Sequence, residues 1–426
     1  MEQRNLLIAI VLSVGILVAF QFAFERLRPP QPPAPTHATA PAPSGPAGQS
    51  APPAPTASTH NPGANAPQAV PAHTVQSRQA ALADQPRIKI DTPRLHGSIN
   101  LVGARFDDLT LATYHETVDP KSPEVVLLQP PGTADAYFAQ FGWVGSPGLE
   151  LPGADTKWTA SGDRLTPGHP LTLTWSNGKG LTFTRTINVD KDYMFTVDDA
   201  VKNTGSTPLK LTPYGLVSRS GTPPVSGYYL LYEGPIGYLD GAIRNVKYAS
   251  LALDKPTDFT STGGWLGFTD KYWLTALVPP QGDAVKAQFR RAVDPDKVDH
   301  YQVDYTADPV TVPADGTVST STRFFAGAKE LDLLQSYAAS GIPLFDYSID
   351  FGWFWFLTKP IFRILLLLEA LLGNFGVAIL LFTFFVKLVF FPLANKSYNA
   401  MSKMKLLQPE IQKLRERFPD DKARQQ

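Results

Sequence analysis

The stretch FGVAILLFTFFVKLVFFPL, Phe375 to Leu393, is long enough to cross a bilayer as a helix, because about 20 residues rising roughly 1.5 Å each match a hydrocarbon core of about 30 Å. It carries one charge, Lys387. An ammonium at the centre of a membrane helix costs on the order of 2.5 to 3.5 kcal/mol, so a helix that keeps one turns it toward protein or water. Thr383 lies four residues before it, Ala394 seven after and Tyr398 eleven after, which places all four on one helical stripe. Lys387 with Thr383 is therefore the candidate site, a water-accessible cation inside the membrane. The alternative is a lysine stem reaching for cytoplasmic headgroups, since Asn395 is only about 12 Å further along the helix.

Before the span, Phe351-Gly-Trp-Phe-Trp-Phe356 precedes Lys359-Pro360, and Ile361–Leu372 continues apolar with Arg363 and Glu369 interspersed. Aromatic rings beside a cation favour the headgroup boundary, so Trp353 and Trp355 are expected to anchor an interfacial amphipathic helix, with Gly373-Asn374 as the corner before the span. A transmembrane hairpin using Ile361–Leu372 is the alternative, although that piece is too short to cross alone. After the span, Ala400, Met404, Leu407, Ile411, Leu414 and Phe418 recur at steps of four and three, which is a heptad seam. Lys403, Lys405, Lys413, Arg415 and Arg417 surround it as candidate contacts for a cytoplasmic partner or for anionic lipid. Pro409 is expected to open a fresh first turn after Gln408.

Charge orients the chain. Residues 395–426 hold eight Lys/Arg against four Asp/Glu, whereas Ile342–Thr358 holds only Asp346 and Asp350. Basic flanks stay in the cytoplasm. A first apolar run, Leu6–Phe24, has no clear small-residue cleavage site before Glu25-Arg-Leu-Arg28 and reads as a retained anchor rather than a signal peptide. Two spans then leave the amino terminus and residue 395 onward cytoplasmic, with residues 29–374 exported. The expected organisation is an anchor over 1–28, a Pro/Ala-rich disordered tether over 29–86, an exported β domain over 87–340, the interfacial helix over 341–374, a second transmembrane helix over 375–394 and a basic helix over 395–426. The tether is assigned from composition: many of the chain's 40 prolines precede residue 90 and large apolar side chains are nearly absent there.

The exported domain alternates with period two. Leu171, Leu173 and Trp175 interleave with Thr172, Thr174 and Ser176, and beyond Asn177-Gly178 the residues Leu181, Phe183 and Ile187 interleave with Thr182, Thr184 and Thr186. A two-residue turn would set apolar against polar faces, so the pattern predicts an odd loop centred on Gly178, with Trp175 opposite Leu181 and Leu173 opposite Phe183. Further strands are expected at Tyr193–Val197, Leu209–Pro213, Trp265–Phe268, Trp273–Val278, Tyr301–Tyr305 and Val318–Phe325, and a short helix at Lys329–Tyr337. These predict a large antiparallel β sandwich, a supersandwich, attached to transmembrane α-helices and the start of a cytoplasmic helical hairpin.

No enzyme is expected. His96, His115, His169 and His300 are scattered, and the chain has no HExxH, P-loop, Gly-rich dinucleotide turn or nucleophile elbow. The absence of cysteine excludes disulfides and thiolate metal sites. No metal site and no cofactor is expected. A membrane-anchored carbohydrate-binding or scaffold protein of the periplasm is the alternative reading.

The order of these segments, with Phe351-Gly-Trp-Phe-Trp-Phe356, Gly373-Asn-Phe-Gly376, the Lys387 span ending Phe391-Pro-Leu393, and Met401-Ser-Lys-Met-Lys-Leu-Leu-Gln-Pro409, resembles the YidC family of bacterial membrane protein insertases. Gly264-Trp265 and Tyr272-Trp273 add to the likeness. The resemblance implies a chaperone and insertase of the inner membrane that works without a cofactor. Its hydrophilic groove would hold polar parts of nascent membrane proteins beside the bilayer, with the Sec translocon and the ribosome as candidate partners and no specific nucleic-acid sequence. Many members carry arginine in the groove. Lys387 stands at the matching position and keeps the charge without the bidentate fork. Family members continue past the basic helix, so the chain ending at Gln426 in mid-helix is expected to be a fragment.

Overall fold

The computed structural model describes residues 75–223, 232–253 and 255–417, with side chains through 409. The expected anchor, most of the expected tether, and the side chains of Lys413, Arg415 and Arg417 lie outside those residues. The chain divides between Ile349 and Asp350 into two compact units.

In the first unit, structure begins before the Arg87 boundary expected from composition. Gln76 bridges Thr133, and a short helix, α1 (Arg78–Ala83), buries Ala81 and pairs Arg78 with Asp108. The body is two sheets, of eleven and nine strands among the described residues, almost wholly antiparallel. The strand Leu181–Val189 shows why they face each other. Leu181, Phe183, Arg185, Ile187 and Val189 are buried while the threonines between them are half-buried on the other side. From the eleven-stranded sheet Phe106 and Phe141, and from the nine-stranded sheet Phe195 and Phe324, meet edge-on or tilted around Phe106 at ring distances of 5.1 to 5.8 Å, the arrangement aromatic quadrupoles favour.

The hairpin register corrects one expectation. Trp175 faces Phe183, Leu173 faces Arg185 and Leu171 faces Ile187. Like faces pair, as the odd loop required, but the register is slid by two residues and the loop is Gly178-Lys179-Gly180. Asn177 causes the slide: its side-chain oxygen accepts from the backbone N–H of Lys179 at 2.8 Å and of Leu181 at 3.0 Å, and Gly178 and Gly180 take the positive φ the tight loop needs (+67° and +94°).

Of the other expected strands, Trp273–Val278 coincides with the strand found, while Tyr301–Tyr305 and Val318–Phe325 are the middles of longer ones, Asp299–Ala307 and Gly316–Ala328. The closing helix α2 (Leu331–Ala339) starts two residues later than expected. Glu330 stands at its N-cap without capping it, because its carboxylate accepts from Arg94 (2.6 Å), Tyr114 (3.1 Å) and Tyr193 (3.3 Å). Downstream, Phe345 is fully buried against Trp265, Phe325 and Tyr337, and the Trp265 indole N–H donates to Pro343 O at 2.9 Å.

The eleven-stranded sheet also buries two polar side chains, Gln140 and Asp304, in one cross-strand row. Gln288, Asp304, Leu216 and Gln140 stand opposite one another across four adjacent strands. Gln140 donates to the Tyr214 hydroxyl at 3.1 Å, and Asp304 lies 3.0 Å from Arg290 Nε. Burial pushes the Asp304 carboxyl up to about 6 despite the Arg290 guanidinium beside it. Its folded value thus exceeds its unfolded value of about 3.9, so the folded state binds the proton more tightly and stability falls as pH rises between those values. Raising the pH from about 4 to 7 is expected to lower the urea midpoint of the wild type more than that of Asp304→Asn. Parallel curves for the two proteins would contradict this.

The second unit is two helices. α3 (Trp355–Leu372) ends at Gly373 in the left-handed region (φ +66°), whose N–H donates to Glu369 O at 2.7 Å. Asn374 then caps α4 (Phe375–Arg417), accepting from Val377 N–H at 3.1 Å. The two helices pack on each other, and Ala378 is fully buried. α4 runs 43 residues without interruption, about 65 Å. The fresh turn expected at Pro409 is not found: the helix continues through both Pro392 and Pro409, each of which removes one N–H donor.

Candidate functional site

α4 is long and apolar enough, over Phe375–Pro409, to cross a membrane by length and composition, and among the described residues it is the one helix that is. α3 falls short because Lys359, Arg363 and Glu369 interrupt its 18 residues. Within α4 the apolar side chains face outward almost all round: Leu380, Phe384, Val389 and Phe391 are all more than half exposed. In water such a surface would drive association; in acyl chains it is the ordinary exterior of a membrane helix.

Thr383 and Lys387 are exposed on successive turns of this helix. The Thr383 hydroxyl donates to Ile379 O at 2.7 Å, so its proton is satisfied by its own backbone and its lone pairs remain for an incoming donor. Lys387 makes no ion pair among the described residues. The pair can offer three N–H donors and a hydroxyl oxygen on one side of an otherwise apolar cylinder. That arrangement suits a carboxylate, a backbone carbonyl or water.

Trp353 and Trp355 precede or open α3, and both rings are exposed, at 69% and 38%. Trp353 stacks obliquely on Phe354 (5.2 Å), Trp355 meets Phe356 edge-on (6.3 Å), and Lys359 Nζ lies 4.9 Å over the Phe351 ring, a cation–π contact. Lys403 and Lys405 are exposed on α4 beside exposed Met401, Met404 and Leu407. Lys413, Arg415 and Arg417 continue the same helix.

A β sandwich followed by a hairpin whose second arm is a membrane-length helix with one embedded lysine defines a class: a membrane-attached protein with a large folded domain outside the bilayer. Family comparison narrows the class. Residues 87–364 match the YidC periplasmic domain and residues 367–426 match the 60Kd inner membrane protein family. The chain is 47% identical over 444 aligned positions to the membrane protein insertase YidC of Bradyrhizobium diazoefficiens, covering all of this chain and 71% of that protein. It is 48% identical over 379 positions to the insertase of Methylorubrum extorquens, covering 86% of this chain and 61% of that one. The chain belongs to the YidC family. Among solved structures, a galactose mutarotase-like protein from Lactobacillus casei aligns with 57% of this chain and 100% of its own, at 11% identity and a TM-score of 0.40.

Proposed function

We propose that this protein inserts nascent membrane proteins into the bacterial inner membrane, with Lys387 as the cation that holds their polar segments while an apolar segment passes into lipid. The observation that carries this reading is similarity, over all of this chain, to proteins named as insertases, joined to the single charge of the apolar stretch Phe375–Leu393 in a membrane-length helix. Residues 29–374 lie in the periplasm, α3 rests in the interface on its aromatic end, and the basic end of α4 enters the cytoplasm, where it faces a ribosome or the Sec translocon. The sequence asymmetry of Lys and Arg supports this orientation. Insertion itself breaks no covalent bond, so the protein needs to supply only a local rise in polarity, which lowers the barrier to moving hydrophilic chain across hydrocarbon.

The chain has no cysteine, which allows a direct test. Cysteines replacing Thr383 or Lys387 are expected to react with a membrane-impermeant thiol reagent, while cysteines replacing Leu381 or Val389 stay unmodified, as read by mass shift after gel separation. Equal protection at all four positions would remove the water-accessible site.

A further inference from the structure

The sandwich holds a second arrangement of chemical groups that insertion does not use. Ser220 ends the strand Leu209–Ser220 and stands opposite His300 in the neighbouring strand Asp299–Ala307, so their side chains share a face. Ser220 Oγ lies 3.0 Å from His300 Nδ1, and His300 Nε2 lies 3.1 Å from Asp294 Oδ2. Asp294 is fixed in turn: its Oδ1 accepts from Val298 N–H at 2.8 Å, and that bond, ahead of the His300 contact, holds its carboxyl below the usual carboxylate range.

These bonds settle the proton positions. An ionised carboxylate can only accept, so His300 must donate from Nε2; in the neutral ring the Nδ1 lone pair is then left to accept from the Ser220 hydroxyl. A serine hydrogen-bonded to a histidine that a carboxylate orients is the general form of an activated oxygen nucleophile. Ser220 also lines a cavity of about 180 Å³, with Thr222, Arg219, Tyr137, Asp135 and Gln129. Arg219 is held there by Asp270 at 2.6 Å and by the Tyr137 ring at 4.7 Å.

We propose that Ser220 is a nucleophile with His300 as its base and Asp294 as the positioning residue, accepting the acyl group of a small carboxylic ester that enters this cavity. Ser220 Oγ attacks the carbonyl carbon as its proton passes to His300 Nδ1. The ester C–O bond breaks, the departing alcohol takes that proton, and the acyl group remains on Ser220, with no change in oxidation state. The site lacks a backbone oxyanion hole, because the N–H groups of Ser220 and Gly221 donate to Ala136 O and Asp299 O. Among the described residues that line the cavity, Arg219 is engaged by Asp270 and the Thr222 hydroxyl by the Tyr301 hydroxyl at 2.7 Å, so neither is a free donor for the developing negative charge. One missing donor alone can reduce turnover by about 10²- to 10³-fold, so the expected behaviour is acylation with slow release.

The test uses the full chain in detergent with a fluorophosphonate probe, in which the serine oxygen displaces fluoride from phosphorus, followed by peptide mass spectrometry. Ser220 is expected to be labelled at least ten-fold faster than any other serine in the same digest. Ser220→Ala removes that adduct. His300→Ala slows it at least ten-fold, and millimolar imidazole restores it, a rescue that a merely structural histidine would not show. Asp294→Asn slows it at unchanged thermal midpoint. Labelling of Ser220 no faster than of other serines, or labelling indifferent to His300→Ala in a folded protein, would make the three residues an ordinary interstrand hydrogen-bond chain and overturn the proposal.

Discussion

Lys387→Leu, expressed from the full reading frame in cells depleted of their own insertase, is expected to lose insertion of a short membrane protein by ten-fold or more, while Lys387→Arg retains it. The argument sets two effects against each other. Replacing the lysine relieves the α4 span of on the order of 2.5 to 3.5 kcal/mol of insertion cost, so the leucine variant should enter the membrane at least as well as the wild type. A loss of activity in a better-inserted protein isolates the ammonium as the working group. Arginine keeps the charge and adds donors, and a point-charge role therefore tolerates it. Protease protection of the client's exported segment reads the result. Equal insertion by the leucine and arginine variants would leave Lys387 a residue that merely reaches for headgroups.

Arg185→Met is expected to give the largest loss of stability in the sandwich. Arg185 is almost fully buried, stands directly opposite Asp199, and binds it through Nε at 2.7 Å and NH2 at 2.9 Å. Its guanidinium also lies 5.4 Å from the Trp158 ring centroid and 5.9 Å from that of Phe141. Removing one member of such a pair leaves a buried carboxylate without its partner and costs about 3–5 kcal/mol, which for a domain of this size lowers the thermal midpoint by on the order of 10 °C. The double variant Arg185→Met, Asp199→Leu restores most of the loss, because an apolar pair of similar volume needs no charge compensation. Circular dichroism melts of the four proteins close the cycle. A double variant no more stable than Arg185→Met would show that the pair matters through its shape and not through its charges.

The same two residues show how far the sequence could be read. In Leu181–Val189 the alternation of apolar residues with threonine revealed a half-buried strand, and Arg185 sat in the apolar phase without explanation. Its reason is Asp199 on the next strand, 14 residues away, a neighbour that only pairing creates. Likewise the parity of the hairpin was legible from matching faces, while the slide of two residues came from the Asn177 side chain reaching two backbone N–H groups, a local hydrogen-bond choice that periodicity does not encode. The Ser220, Asp294 and His300 cluster left no signal, since its members are 74 and 6 residues apart and belong to no motif.

The sequence by itself determined the membrane-length helix, the position of its charge, the corner at Gly373-Asn374 and the β character of the domain between, because each follows from local periodicity, length or backbone preference. Tertiary structure decided which strands became neighbours, which charges were buried together and where polar side chains converged. Those outcomes depend on contacts between residues far apart in the chain, whose energies exist only once the two sheets have closed over a common core.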